Sequence, residues 1–173
     1  MKFDVEHIKS LTKDLFSFVF NILIENDEKM FRWKLYNKII PNQILLERWR
    51  VLNDDKCFLC DIPDDYEHYF INCKSVEILW ITITNILIEL NFNKNLRNLK
   101  YIVFGYKISH EEYNDINVVI SIIGFTIYKH FHLSNQRRDF INIKLLFKNE
   151  IRKKLQLTGY QKYKILNNIY EKL

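Results

Sequence analysis

Apolar residues recur at helical spacing through most of the chain. In residues 3–25, Phe3, Ile8, Leu11, Leu15, Phe18, Val19, Ile22 and Leu23 follow that period and predict a helix. Phe16 and Phe20 make this helix apolar over more than one face, so it calls for a partner. The run EKMFRWKLYNKI (28–39) predicts a second helix, and Pro41 suits the first turn of a third that extends to about Val51. The periodicity stops over 54–72, which reads as polar and turn-like. It resumes near Cys73 in a long apolar helix ending around Leu90. LKYIVFG, ending at Gly105, is a short helix or a strand. Ser109-His-Glu-Glu112 matches a capping box and opens a helix to about 133. Two more helices are expected, 138–156 and 159–172, the second preceded by Thr158 with Gln161 three residues on. The expected fold class is mainly α: a helical domain with one irregular loop inserted between helices. Its parts are N-terminal helices (1–52), the loop and the start of the next helix (53–80), and C-terminal helices (81–173), joined in one compact unit.

Composition agrees with long helices. The 173 residues are 48% hydrophobic, which excludes a disordered chain, and only three glycines and two prolines punctuate them. The abundance of Asn, Ile and Lys reads as a biased base composition rather than chemistry. No secretory signal is visible in MKFDVEHIKSLTKD. The longest uncharged apolar stretch, Ile116–Tyr128, is too short to span a bilayer and reads as a buried helix. An intracellular protein, nuclear or cytoplasmic, is therefore expected, with no membrane partner and with reduced thiols.

The irregular loop holds all three cysteines and one histidine, spaced Cys57-x2-Cys60-x7-His68-x4-Cys73. A C-x-x-C turn lets two sulfurs face one ion, and H-x4-C returns a nitrogen and a third sulfur to it. That set matches a structural zinc ion, whose closed tetrahedral shell leaves no position for a reacting water. Residues 53–67 have little apolar content, and a structural zinc contributes an apparent ~10–16 kcal/mol in small peptides. Two other readings are weaker. The cysteines would be buried apolar thiols, or the C-x-x-C a redox turn; the latter lacks the strand before it and the helix after it.

The run from Phe31 to Trp80 resembles the zinc-binding domain of reverse transcriptases from non-LTR (LINE-type) retrotransposons. The matching positions are Phe31, Trp33 and Lys34 in an aromatic, basic helix, then Pro41 and Trp49. Cys57 and Cys60, Glu67 and His68, Cys73 and Trp80 follow. LKYIVFGYK and DINVVISIIGFTIYKHF are similar to the hydrophobic tail that often follows. The spacing differs from the retroviral zinc knuckle, whose histidine comes four residues after the second cysteine. The resemblance implies a C-terminal segment of a retrotransposon polyprotein that helps bind the element's RNA or target DNA, alongside a polymerase region. The polymerase signature itself, an aromatic-x-Asp-Asp turn, does not occur: Asp54-Asp55 follows Leu-Asn and Asp64-Asp65 follows Ile-Pro. Walker loops, His-Glu-x-x-His helices and nucleophile elbows are also missing. No enzymatic activity and no small-molecule substrate are expected.

Charge adds one asymmetry. Residues 1–128 carry 15 Lys and Arg against 18 Asp and Glu; residues 129–173 carry 11 against 3. Within the 138–156 helix Lys144, Lys148 and Arg152 lie four apart in one stripe, Lys153 and Lys154 widen it, and Arg137 and Arg138 stand at its start. Phe140, Ile143, Phe147 and Ile151 make the opposing apolar stripe. Such a helix reads equally as a phosphate-binding face or as a solvated amphipathic helix. In the zinc loop, Phe58, Tyr66, Tyr69 and Phe70 offer rings for stacking on unpaired bases, and Lys56 and Lys74 flank the ligands. However, Asp54, Asp55, Asp61, Asp64, Asp65 and Glu67 would repel phosphate, and Phe70 and Phe58 suit the core. His7, His110, His130 and His132 read as ordinary. The leading expectation is a zinc-stabilised accessory module that binds RNA or DNA. The alternatives are a structural or protein-interaction domain and a remnant of a decayed element.

Overall fold

The computed structural model describes residues 25–106, 112–137, 141–159 and 162–173, with the side chains of 112–114, 136 and 137 outside that description. The expected helix over 3–25 and the proposed capping box at Ser109 lie outside the described residues. Within them the chain is helical, with one antiparallel bridge (Lys56–Pro63) and no strand. The helices are α1 (Asn26–Tyr36), α2 (Gln43–Arg48), α3 (Lys74–Glu89), α4 (Leu99–Phe104), α5 (Glu112–Arg137), α6 (Ile143–Thr158) and α7 (Lys164–Lys172). A single π-helical turn, His68–Asn72, sits between α2 and α3. The undecided LKYIVFG segment is thus the helix α4.

Several helices end earlier or start later than their periodicity suggests, and the caps explain why. Lys38, Arg50 and Asn91 adopt left-handed backbone angles (φ 56°, 59° and 61°) just past α1, α2 and α3. At each, the next N–H reaches back five residues: Ile39 to the Lys34 carbonyl, Val51 to Leu46, Phe92 to Leu87. These are Schellman closures made without glycine. Pro41 does not open α2; it precedes the cap, and the Asn42 side chain accepts the Leu45 N–H at 2.9 Å. Asn98 and Asn142 cap α4 and α6 in the same way. Asn117 pins the end of α4 by bonding both the N–H and the carbonyl of Tyr106. The asparagines first read as base composition therefore do structural work at helix ends. Thr158 is the last residue of α6 rather than a cap for α7, and its hydroxyl donates to the Lys154 carbonyl.

α5 is the axis of the fold. It packs against α1, α4, α6, α7 and the π turn, while α3 lies against α6 and α7. From Ile116 to Ile127 every side chain on it is buried, which explains an apolar run with little amphipathic period. By length and composition Asp115–Asn135 suffices to cross a membrane, and 78% of its most apolar stretch is buried inside this fold. Gly124 allows the close approach: a Cβ there would sit 2.8 Å from the Ile102 side chain of α4 and 3.4 Å from the Phe31 ring of α1. One apolar core joins Phe31 and Leu35, Phe70, Val76 and Trp80, the α5 face, Phe147 and Ile151, and Leu166 and Ile169.

Candidate metal centre

The loop builds the centre from two local structures. The Lys56–Pro63 bridge closes its base, and the Cys57 N–H donates to the Ile62 carbonyl at 2.8 Å. Inside it, the N–H groups of Cys60 and Asp61 both fold back on the Cys57 carbonyl, with Asp61 left-handed at φ 57°. That tight turn aims the Cys57 and Cys60 sulfurs the same way. The second half starts where the Asp65 carboxylate accepts the His68 N–H at 2.7 Å. It ends where the Cys73 N–H reaches the His68 carbonyl at 2.8 Å. This five-residue hydrogen bond is that of a π-helix, a form frequent at functional sites. An α-helix would put residues five apart on different faces. The wider turn puts His68 and Cys73 on one.

The four ligand-type atoms converge, all within 4.8 Å of one another. The Sγ atoms of Cys57 and Cys60 lie 3.9 and 3.8 Å from that of Cys73, and Cys60 Sγ is 3.2 Å from His68 Nε2. Two sulfurs at zinc-bond length on a tetrahedron are about 3.8 Å apart, so the spacing fits that ion. No disulfide links them. Cys57, His68 and Cys73 are buried and Cys60 is half-buried. The Cys73 thiol is pulled down to about 5 because its sulfur accepts hydrogen bonds from the Cys57 thiol and from Ser75. Cys57 is pushed up as the donor in that bond, and burial raises Cys60. A thiol cluster that already favours one thiolate is suited to a cation, because the thiolate is the ligand form.

The surroundings hold this geometry rigidly. Tyr66 donates to the Ile40 carbonyl at 3.1 Å, Trp80 Nε1–H to the Phe70 carbonyl at 2.9 Å, and the Arg97 guanidinium to the Ile71 carbonyl at 3.1 and 2.8 Å. Tyr69 stacks on Phe131 of α5 with ring centres 4.0 Å apart. Tyr69 and Phe70 are therefore core residues and unavailable to stack on bases, and Tyr66 is largely committed. Phe58 goes the other way: it stays 44% exposed, with only an edge-on contact to Phe131. Asp64 is not part of a solvated acidic surface. It is buried, one carboxylate oxygen accepts the Gln43 N–H at the start of α2 (3.0 Å), and burial raises its pKa to about 6.

The basic candidates divide. Lys144 and Arg152 are exposed, Lys153 is half-exposed and 3.6 Å from Glu150, and Lys148 lies with its ammonium 5.5 Å from the Tyr170 ring centre. Ile143, Phe147 and Ile151 form the buried stripe as expected; Phe140, Arg138 and the Arg137 side chain lie outside the described residues. Lys154 does not widen the basic face. It is 3% exposed and pairs with the buried Glu28 carboxylate at 2.7 Å. Its spacing from Phe147 and Ile151, seven and three residues before it, places it on the inner side of the helix, where a buried acid lets an ammonium stay charged. Arg32, one turn after Glu28, is buried too. It donates to Ser121 at 3.2 Å and to the Ile102 carbonyl, and burial lowers its pKa to about 10. The Glu28, Phe31, Arg32, Leu35 period marked this inner face, but nothing in the sequence paired it with Lys154.

Comparison with curated proteins and with solved structures finds no match in either. One family does match: residues 3–80, which contain all four clustered ligands, fit the model described as zinc-binding in reverse transcriptase, the family that Phe31–Trp80 resembles.

Proposed function

We propose that this protein is a zinc-stabilised accessory module of a retrotransposon reverse transcriptase. In this reading it binds RNA or single-stranded DNA inside the cell and has no catalysis of its own. The observation that carries the reading is the convergence of four zinc-type donors, within 4.8 Å, in the segment matched by the family. One zinc ion on Cys57, Cys60, His68 and Cys73 supplies a cross-link and no open coordination position. Nucleic acid is held by the outward cations of α6, the exposed Lys144, Arg152 and Lys153 and the partly exposed Lys148, through phosphate neutralisation. Lys154 has no part in this, being committed to Glu28.

Two measurements test the reading. Metal analysis of the purified protein is expected to give one zinc per chain, lost in Cys60→Ala and His68→Ala; a metal-free protein of equal stability would sink it. Single-strand affinity is expected to fall steeply with salt, with a log–log slope reduced by about 2 in the Lys144/Lys148/Arg152→Ala variant. An unchanged slope would remove α6 from the interface. A second reading, a protein-interaction domain that docks on a polymerase region, has one observation in its favour. Met30 and Trp33 of α1 are about half-exposed, three residues apart on one face.

A further inference from the structure

Among the described residues, two open grooves of similar size differ in the charge of their linings. One, about 470 Å³, runs beside the cysteine loop and is edged by Asp54, Asp61 and Lys56, whose ammonium is 3.4 Å from Asp61. The other, about 520 Å³, lies between α3 and the connection to α4. Its apolar surface includes Ile81 and Ile88, both about half-exposed, and its rim carries Asn85, Asn93, Lys94 and Asn95. None of the residues lining it is acidic. The nearest carboxylate in sequence, Glu89, is engaged by Lys172 at 2.6 Å.

We propose that this second groove is a subsite for one unpaired nucleotide of a bound single strand, an inference that rests on the nucleic-acid reading above. A nucleotide needs apolar contact for the faces of its base, donors and acceptors for its edge, and a cation for its phosphate. The two isoleucines supply the first and Lys94 the last. The carboxamides supply the second, because each offers both an N–H donor and a carbonyl acceptor. The side-chain carboxamides of Asn85 and Asn93 make no hydrogen bond to other described residues. Asn95 has its oxygen held by the Arg97 N–H at 2.9 Å, which fixes the amide while leaving its donor group outward. An unpaired base can lay its face on the isoleucines and its edge on the carboxamides at once, whereas a stacked, paired base in a duplex cannot, so the ligand is single-stranded. The acidic groove lacks this complementarity to a polyanion. The rim is also tied to the zinc site, since Arg97 holds the carbonyl of Ile71 in the π turn.

The test uses the zinc-loaded full chain and a 4-thiouridine-containing single-stranded RNA. Photo-crosslinks are expected within residues 81–97. The Asn85→Ala/Asn93→Ala variant loses the edge hydrogen bonds and is expected to bind about tenfold more weakly. Its salt slope should match the wild type, because no phosphate contact is removed; the α6 variant should change the slope. Unaltered zinc content and circular dichroism show that the variant folds. If wild-type protein binds, while the variant binds equally well and crosslinks fall elsewhere, the groove is overturned and the nucleic-acid reading stands. If the wild type binds no single strand, both fall. A variant with intact RNA binding but altered self-association in sedimentation reassigns the groove to a protein contact and overturns the proposal.

Discussion

Between Asn53 and Cys73 the backbone runs through one bridge, a tight turn and a π turn, with acidic side chains facing water along much of its length. Between Ile116 and Ile127 every side chain is buried in a helix that touches most of the others. The first region seats its π turn in the core, through Tyr69, Phe70 and Ile71; from Asn53 to Glu67 it has little apolar surface of its own and relies on converging donors and a few anchoring bonds. The second is held by packing, with a buried ion pair, Glu28–Lys154, closing α6 onto α1. The difference separates two kinds of stability in one small chain. With zinc as proposed, the loop depends on the metal for its shape, whereas the helical body is shaped by the packing of α5 and α6, which carry none of the four donors.

The sharpest way to break the comparison is to remove the metal. With zinc as proposed, a contribution of order 10 kcal/mol disappears on chelation or in Cys60→Ala. Hydrogen exchange should then show residues 53–73 unprotected while α5 keeps its slow amides. Equal loss in both regions would mean that they are one cooperative unit. Next in size is Lys154→Met, which leaves the Glu28 carboxylate buried without its ammonium. Urea unfolding should show a loss of about 3–5 kcal/mol, largely recovered in Glu28→Gln/Lys154→Met. A loss below 1 kcal/mol would contradict the buried pair.

The helical body should show its own pH limit through His130, which is fully buried and whose pKa burial lowers to about 4, a hydrogen bond with the Ile141 backbone working weakly the other way. The unfolded chain takes up a proton near pH 6.5, whereas the folded one holds the ring neutral until about pH 4. Stability is therefore lost as pH falls across that window, by up to about 3 kcal/mol. His130→Leu should flatten that part of the profile at constant zinc loading, and an unchanged profile would refute the assignment. The smallest expected effect is Arg152→Ala, within about 0.5 kcal/mol of wild type in the same unfolding assay. Set beside Lys154→Met, two residues away, it separates the outer cations of α6 from the inner one.

The Cys57, Cys60, His68 and Cys73 cluster was legible because a metal site would constrain residue type and spacing at once, and the four side chains converge as their spacing implies. The helical class was legible from periodicity. The ends of α1 and α2 were not, because the expected glycine stops are absent and Lys38 and Arg50 take the left-handed angle instead. The Asn42, Asn98 and Asn142 caps were hidden by the sheer number of asparagines. The π turn was hidden because its signal is a five-residue offset between two ligands rather than a composition. Lys154 was misplaced for a different reason. A lysine run reads as a surface face, and its acid stands 126 positions away, beyond any local pattern.

That distance has a consequence for the order in which the molecule is made. On a growing chain all four donors are available once Cys73 has emerged, within a segment of 17 residues whose ends cost little to bring together. The cation for Glu28 is synthesised 81 residues later, and until then the inner face of α1 has no ammonium to meet. With zinc as proposed, closing the loop is thus the early, local event and the seating of α1 against α6 the late one.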